Sequence, residues 1–436
     1  MVTQTFETSA VAALAAVRSG NVSASELTSH FLARIDHGNS GIHALRHVMA
    51  DEAVEAAGAI DARIQAGEAL ALAGLPFVVK ENCDTVGAPC SAGLSFRLGY
   101  RPTTDSWITA KLRAAGAIIL GVAVSDPGAF DVRTLDVTHP LDPSLTVGGS
   151  SGGSAAALAA GFCLGAIGTD TGGSIRIPSA CCGTVGLKPS YGALPMDGVF
   201  PLVTSLDHVG PMARSVEDVE LIWQALVGRE PAPASPPRRV GYDPAWVDIA
   251  DKLTRDGFAL GLRNLKEQGI DVVRIALPEL NAVAETHSRI FLVEAAAYHL
   301  AHHGGEIDTY PDVARNWFAT ARDMPVGVYV DACAKRLALA RHVDACLAEV
   351  DAIVAPTLCV SRPPRDGASV TIAGAKHDFT RGLVRLTSLF DHTGHPAIAC
   401  PIADGSSVLP PSMQVVGRHG EEAAILRIAK LIEQAR

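Results

Sequence analysis

Two short loops in this chain combine serines with glycines in a way that suits a nucleophile and a cradle for its product. The first reads Gly148-Gly149-Ser150-Ser151-Gly152-Gly153-Ser154, and the second Gly168-Thr169-Asp170-Thr171-Gly172-Gly173-Ser174-Ile175-Arg176. Glycine at this density costs conformational entropy, so it marks backbone that must approach something closely or take a geometry other residues avoid. Successive backbone N–H groups in such loops form a concave donor site for an oxyanion or a phosphate. The P-loop pattern Gly-x-x-x-x-Gly-Lys-[Ser/Thr] does not occur. Residues 148–152 fit Gly-x-Ser-x-Gly, the nucleophile elbow, but that short pattern also demands an acid and a late histidine in order. Ser-x-x-Lys is absent, which argues against the β-lactamase arrangement.

The elements that must position these loops read as alternating strands and helices. Gly74-Leu75-Pro76-Phe77-Val78-Val79-Lys80 is an apolar run that predicts a buried strand ending at a lysine. Residues 117–124 predict a second buried strand, entered from a helix through 112–116 that Asp105 could cap. Residues 154–160 read as a helix and 162–168 as another strand. Before them, 9–19, 25–35 and 51–65 show apolar residues at helical spacing. Residues 228–239, GREPAPASPPRR, are linker-like. A helix near 249–268 and a mostly helical stretch to about 350 follow. Strand character returns at 351–356 and 409–416.

The expected fold class is therefore α/β: a single large domain over 1–436, with a central mixed, mostly parallel β-sheet covered by helices on both faces. Within it the expected parts are an N-terminal helical segment (1–70), a catalytic core (75–218), a variable, mostly helical pocket segment (228–350) and a C-terminal return to the sheet (351–436).

Composition narrows the function classes. At 436 residues with 48% hydrophobic and 19% charged residues, the chain can bury a large core. Its net charge of −10 is spread without a long block of one sign, which argues against nucleic acid as a partner. Nine cysteines without a Cys-x-x-Cys suit reduced, mostly buried thiols. Residues 1–7 show no basic stretch followed by an apolar one, and no uncharged apolar run reaches the ~18 residues of a membrane helix. A cytoplasmic protein with no membrane partner is expected.

Two histidine groups have a bland and a sharp reading. His299, His302 and His303 have the helical spacing of a metal face, yet no carboxylate or cysteine matches them, and a His-rich helix surface is preferred. His392 and His395 flank Gly394 in a loop, where a structural role is preferred over lining a pocket.

Together the elements are far more specific than any one alone. Lys80 closes a strand, a Ser-rich Gly loop follows, and a second Gly-Gly-Ser comes 24 residues after the first (174 − 150). Cys182-Gly183-Thr184-Val185-Gly186-Leu187-Lys188-Pro189 comes next, then Leu206-Asp207-His208-Val209-Gly210-Pro211-Met212. Ala355-Pro356-Thr357, Gly394-His395-Pro396-Ala397 and Met413-Gln414-Val415-Val416-Gly417 continue the pattern. This assembly resembles the amidase signature family over residues 75–218 and from 351 onward.

The resemblance implies a hydrolase of linear C–N amide bonds with a Ser-cisSer-Lys triad and an amidase signature fold. Ser174 matches the nucleophile, Ser150 the bridging serine, cis to its preceding glycine, and Lys80 the base. A serine hydroxyl needs an adjacent base at neutral pH, and a lysine can serve only when burial keeps it neutral. The amides of Thr171, Gly172, Gly173 and Ser174 would form the oxyanion hole. Asp170, Arg176 and Ser151 would support the site. Arg176 could instead pair a substrate carboxylate, though holding the loop is preferred. The chain departs from many relatives at Thr138-His139-Pro140, where they carry Asn-Pro, which leaves the acyl pocket (124–139 and 285–330) open.

No cofactor and no metal is expected, and the expected partner is a small-molecule amide, with room for a homodimer. Two alternatives stand beside the free amidase. One is a carbamate- or urea-type amide hydrolase using the same triad. The other is the glutamine-hydrolysing subunit of a tRNA-dependent amidotransferase.

Overall fold

The structure, a computed structural model, describes residues 9–228, 236–402 and 409–434. Most of the linker-like segment, 229–235, lies outside them. The strands in chain order are β1 (Leu45–Val48), β2 (Pro76–Lys80), β3 (Ile118–Ala123), β4 (Gly165–Asp170), β5 (Val185–Lys188), β6 (His208–Ala213), β7 (Arg239–Tyr242), β8 (Asp271–Arg274), β9 (Ala352–Pro356), β10 (Ser369–Ile372), β11 (Ala375–Asp378), β12 (Ala397–Pro401) and β13 (Ser412–Val416). β10 and β11 pair only with each other. The other eleven form one mixed sheet in the order β1-β3-β2-β4-β6-β5-β12-β13-β9-β7-β8.

Parallel pairing is confined to two blocks, β3-β2-β4 and β9-β7-β8. Between them, β6, β5, β12 and β13 pair antiparallel. Strands β2, β3 and β4 are buried along their whole length, which is why β2 and β3 read as apolar runs rather than alternating ones. The sheet is thus one layer crossing both sides of the linker-like segment, with helices packed on it. No helix among the described residues is long and apolar enough to cross a membrane.

Two helix starts differ from the sequence reading. Ser106, not Asp105, caps the helix Trp107–Ala114 by accepting the Thr109 N–H. Asp105 instead accepts the Val86 N–H at 2.7 Å and pairs with Arg113. The second N-terminal helix, Ala24–Ile42, starts earlier than expected because Ser23 and Glu26 form a capping box. The helix Gly152–Ala159 packs on β2 and β4, and a Cβ at its Gly153 would lie 2.5 Å from the carbonyl oxygens of Ala44 and Val124, beside the start of β1 and the end of β3. Only glycine fits there.

The helix Leu280–His303 packs against both Asp312–Arg322 and Val326–Glu349 over a separate aromatic core containing Phe130, Phe200, Tyr310 and Phe318.

Candidate active site

Lys80 is the last residue of β2 and is fully buried. Its Nζ donates to Ser150 Oγ at 2.7 Å and to Thr169 Oγ1 at 2.8 Å. Asn82 Nδ2 donates to the same threonine oxygen at 3.2 Å. Burial pulls the Lys80 ammonium down from 10.5 to about 8, while Cys83, Asp126, Asp170 and Asp207 pull it partly back. The peptide between Gly149 and Ser150 is cis. Ser151 ties the first loop to β4: its Oγ donates to the Thr169 carbonyl and accepts the Thr169 N–H, both at 3.2 Å.

The second loop is shaped by Asp170. Its carboxylate accepts the Gly173 N–H at 2.6 Å and the Ile175 N–H at 3.1 Å, and it holds Arg176 through Nε at 3.0 Å and Nη2 at 3.1 Å. Burial alone would raise the Asp170 carboxyl, but the Arg176 guanidinium outweighs it and holds the group well below the usual carboxylate range. Arg176 completes its set with Asp391 at 2.7 Å, the Thr387 carbonyl at 2.9 Å and Gln414 Oε1 at 3.2 Å. A guanidinium has five N–H donors, and these contacts use all five, so Arg176 holds the loop and has none left for a substrate. Asp170→Ala is expected to cost about 3–5 kcal/mol in urea unfolding, because it leaves a buried charge without its main partner. A loss below about 1 kcal/mol would show that Asp391 suffices.

The same geometry bears on the four amides expected to form an oxyanion hole. The Gly173 amide, at a φ of +135°, donates to Asp170 at 2.6 Å. Among the described residues, the amides of Thr171, Gly172 and Ser174 have no acceptor. Thr171 is clamped by Oγ1 donating to Asp207 at 2.6 Å, and the Gly172 carbonyl accepts from Thr387 Oγ1 at 2.6 Å. Sequence reasoning missed Thr169, Asn82, Asp207 and Thr387. Asn82 stands two residues after Lys80 and Asp207 lies in a quoted motif, which are usable signals. Thr387 offers none.

Ser174 Oγ forms no hydrogen bond among the described residues, and its carbonyl accepts the Ser151 N–H at 3.3 Å. Ser174, Thr171 and Gly172 line a cavity of about 300 Å³. Its walls come from Phe130, Phe291, Leu292 and Trp317, with Asp131, Asp378 and Arg381 on the polar side. Residues 129–132, 287–292, 317 and 320 fall in the two segments expected to line it; 378–384 do not.

The histidines divide. His302 Nδ1 bonds the Tyr298 carbonyl of its own helix, and His299 Nδ1 bonds Tyr310 Oη within the aromatic core. His299, His302 and His303 therefore do not converge on one point. His392 pairs with His287 at 2.9 Å and reaches the pocket only through it. Burial pulls His287 down to about 4, so this ring is neutral at pH 7.

The family model described as Amidase matches residues 26–426, and the chain belongs to that family. It is 30% identical to AmiD of Mycobacterium tuberculosis, named as an amidase, over 96% of this chain and 92% of that one. It is 33% identical to a Synechococcus protein named as one subunit of glutamyl-tRNA(Gln) amidotransferase, covering 95% and 94% of the two chains. Among solved structures, one titled as an amidase superposes with a TM-score of 0.89 at 29% identity, over 98% and 99% of the chains. Another, from a vestigial complex bearing on the origins of an s-triazine catabolic enzyme, gives 0.90 at 28% identity, over 98% of each.

Proposed function

We propose that this amidase-family hydrolase cleaves the C–N bond of linear small-molecule amides through an acyl-enzyme on Ser174, with Lys80 as base and Ser150 as relay. The contact of Lys80 Nζ with Ser150 Oγ, 2.7 Å long and fully buried, carries the reading. Neutral Lys80 takes the Ser150 proton as Ser150 takes that of Ser174. Ser174 Oγ, which has no other partner among the described residues, turns to attack the carbonyl carbon. The oxyanion is received by the amides of Thr171, Gly172 and Ser174. The proton returns through Ser150 to the leaving nitrogen, and a water repeats the sequence on the ester to release the acid.

The aromatic walls suit an apolar or aromatic acyl group, and the pocket contributions from 287–320 support a substrate-pocket role for segment 228–350. The nine free cysteines fit a cytoplasmic setting. A second reading, the glutamine-hydrolysing subunit, is favoured by the Synechococcus relative and by others of the same name. Release of ammonia or amine from a panel of apolar amides, carbamates and glutamine separates the readings. Turnover of the apolar amides is expected. Turnover of glutamine alone, and only with added subunits, would leave the second reading standing.

Every proposed step uses side chains and backbone amides. Incubation with EDTA is therefore expected to leave kcat/KM within a few-fold, and a loss of several orders of magnitude reversed by zinc would defeat the mechanism.

A further inference from the structure

We propose that Asp344, His395 and His419 bind one zinc ion at a site outside the Ser174 pocket. The three residues come from distant parts of the chain. Asp344 lies on the helix Val326–Glu349, His395 in the turn before β12, and His419 between β13 and the helix Glu422–Glu433. One ligand atom from each lies within 4.8 Å of the other two, and His395 Nε2 is 3.1 Å from Asp344 Oδ1. Donors around a tetrahedral zinc with bonds of ~2.0–2.1 Å stand about 3.3 Å apart, so modest side-chain movement closes the set.

The site has the second layer that metal-bound histidines usually carry. His395 is fully buried, and its Nδ1 lies 2.9 Å from Thr393 Oγ1. Nε2–H donates to Asp344 Oδ1 while Nδ1 accepts from Thr393 Oγ1; zinc would take the place of the Nε2 proton, and the tautomer would shift so that Nδ1–H donates to that hydroxyl. The ring centroids of His395 and His419 are 4.2 Å apart at a tilt of 34°, so His419 must turn for both imidazoles to reach one ion. Asp344 and His419 are exposed, so an ion can enter and a water can fill the fourth position. Two imidazoles and one carboxylate are borderline donors that suit zinc better than magnesium or calcium.

Bound zinc would join the helix Val326–Glu349 to the ends of β12 and β13. That helix also carries Arg336, whose Nε donates to the His392 carbonyl at 2.8 Å. The ion would thus brace the wall behind the pocket without touching the reacting groups. An ion that binds only the folded chain raises its apparent stability.

Isothermal titration of the chelator-stripped full chain with zinc chloride, paired with thermal melts, tests the site. One zinc per chain is expected, with a rise in Tm. Asp344→Ala and His419→Ala, both at exposed positions, should each weaken binding by roughly tenfold or more and cancel that rise. His302→Ala/His303→Ala should bind as the parent does. Absence of stoichiometric binding, binding untouched by Asp344→Ala and His419→Ala, or binding lost only in the His302/His303 variant would each overturn the proposal.

Discussion

Ser174→Ala is expected to lower kcat/KM on a good amide substrate by at least ~10⁴-fold while leaving the thermal melt within a few degrees of the parent. The size follows from the role: without Oγ no acyl-enzyme forms, and only binding and the oxyanion donors remain. The fold should survive, because Ser174 Oγ makes no hydrogen bond among the described residues and faces the cavity. A fluorophosphonate probe should label the parent at Ser174 alone, as read by peptide mass spectrometry. An adduct on Ser150 would reverse the two serine roles and return the nucleophile-elbow reading of the first loop.

Lys80 carries the second large effect. Lys80→Ala removes the base, and Lys80→Arg should do no better, since a guanidinium does not deprotonate at accessible pH. Both should lose ~10²–10⁴-fold in kcat/KM on amides, the range of a positioned general base. Esters, with better leaving groups, should suffer less. The parent should also show a pH dependence of definite sign. Burial lowers the Lys80 pKa from 10.5 to about 8, so the charged, inactive form dominates below that value. The rate should climb roughly tenfold per pH unit below about 7 and level off above about 8. Lys188 is also buried and pulled down to about 7, but it bonds the Pro189 carbonyl and lies beside His208, not Ser150. The Lys80 variants therefore assign the step. A flat profile with chemistry rate-limiting, or an active Lys80→Arg enzyme, would show that Lys80 is not the base.

The legible parts of the fold were those whose residues carry a local pattern. β2, β3 and β9 announce themselves as short apolar runs because both of their faces are covered. The antiparallel centre does not. β5 is Val185-Gly186-Leu187-Lys188 and β6 begins at His208 and contains Pro211, compositions that a local reading places in loops. Their strand character comes from partners far along the chain. The site divides in the same way. Lys80, Ser150 and Ser174 stand in recognisable motifs, whereas the clamp by Thr387 and the turning of the Gly173 amide toward Asp170 exist only in three dimensions.

The anchoring of Arg176 to Thr387, Asp391 and Gln414 bears on when the molecule becomes competent. Every residue assigned to the chemistry lies between positions 80 and 174, in the first half of the chain. The loop that bears Ser174 nevertheless draws its rigidity from groups more than 200 residues downstream. A ribosome-bound chain that has emerged only through its serine loops holds all the reactive atoms but cannot fix the donors that must receive an oxyanion. On the proposed mechanism, catalytic power arrives with the last strands to be synthesised, and a C-terminally truncated chain is expected to stay silent toward amides.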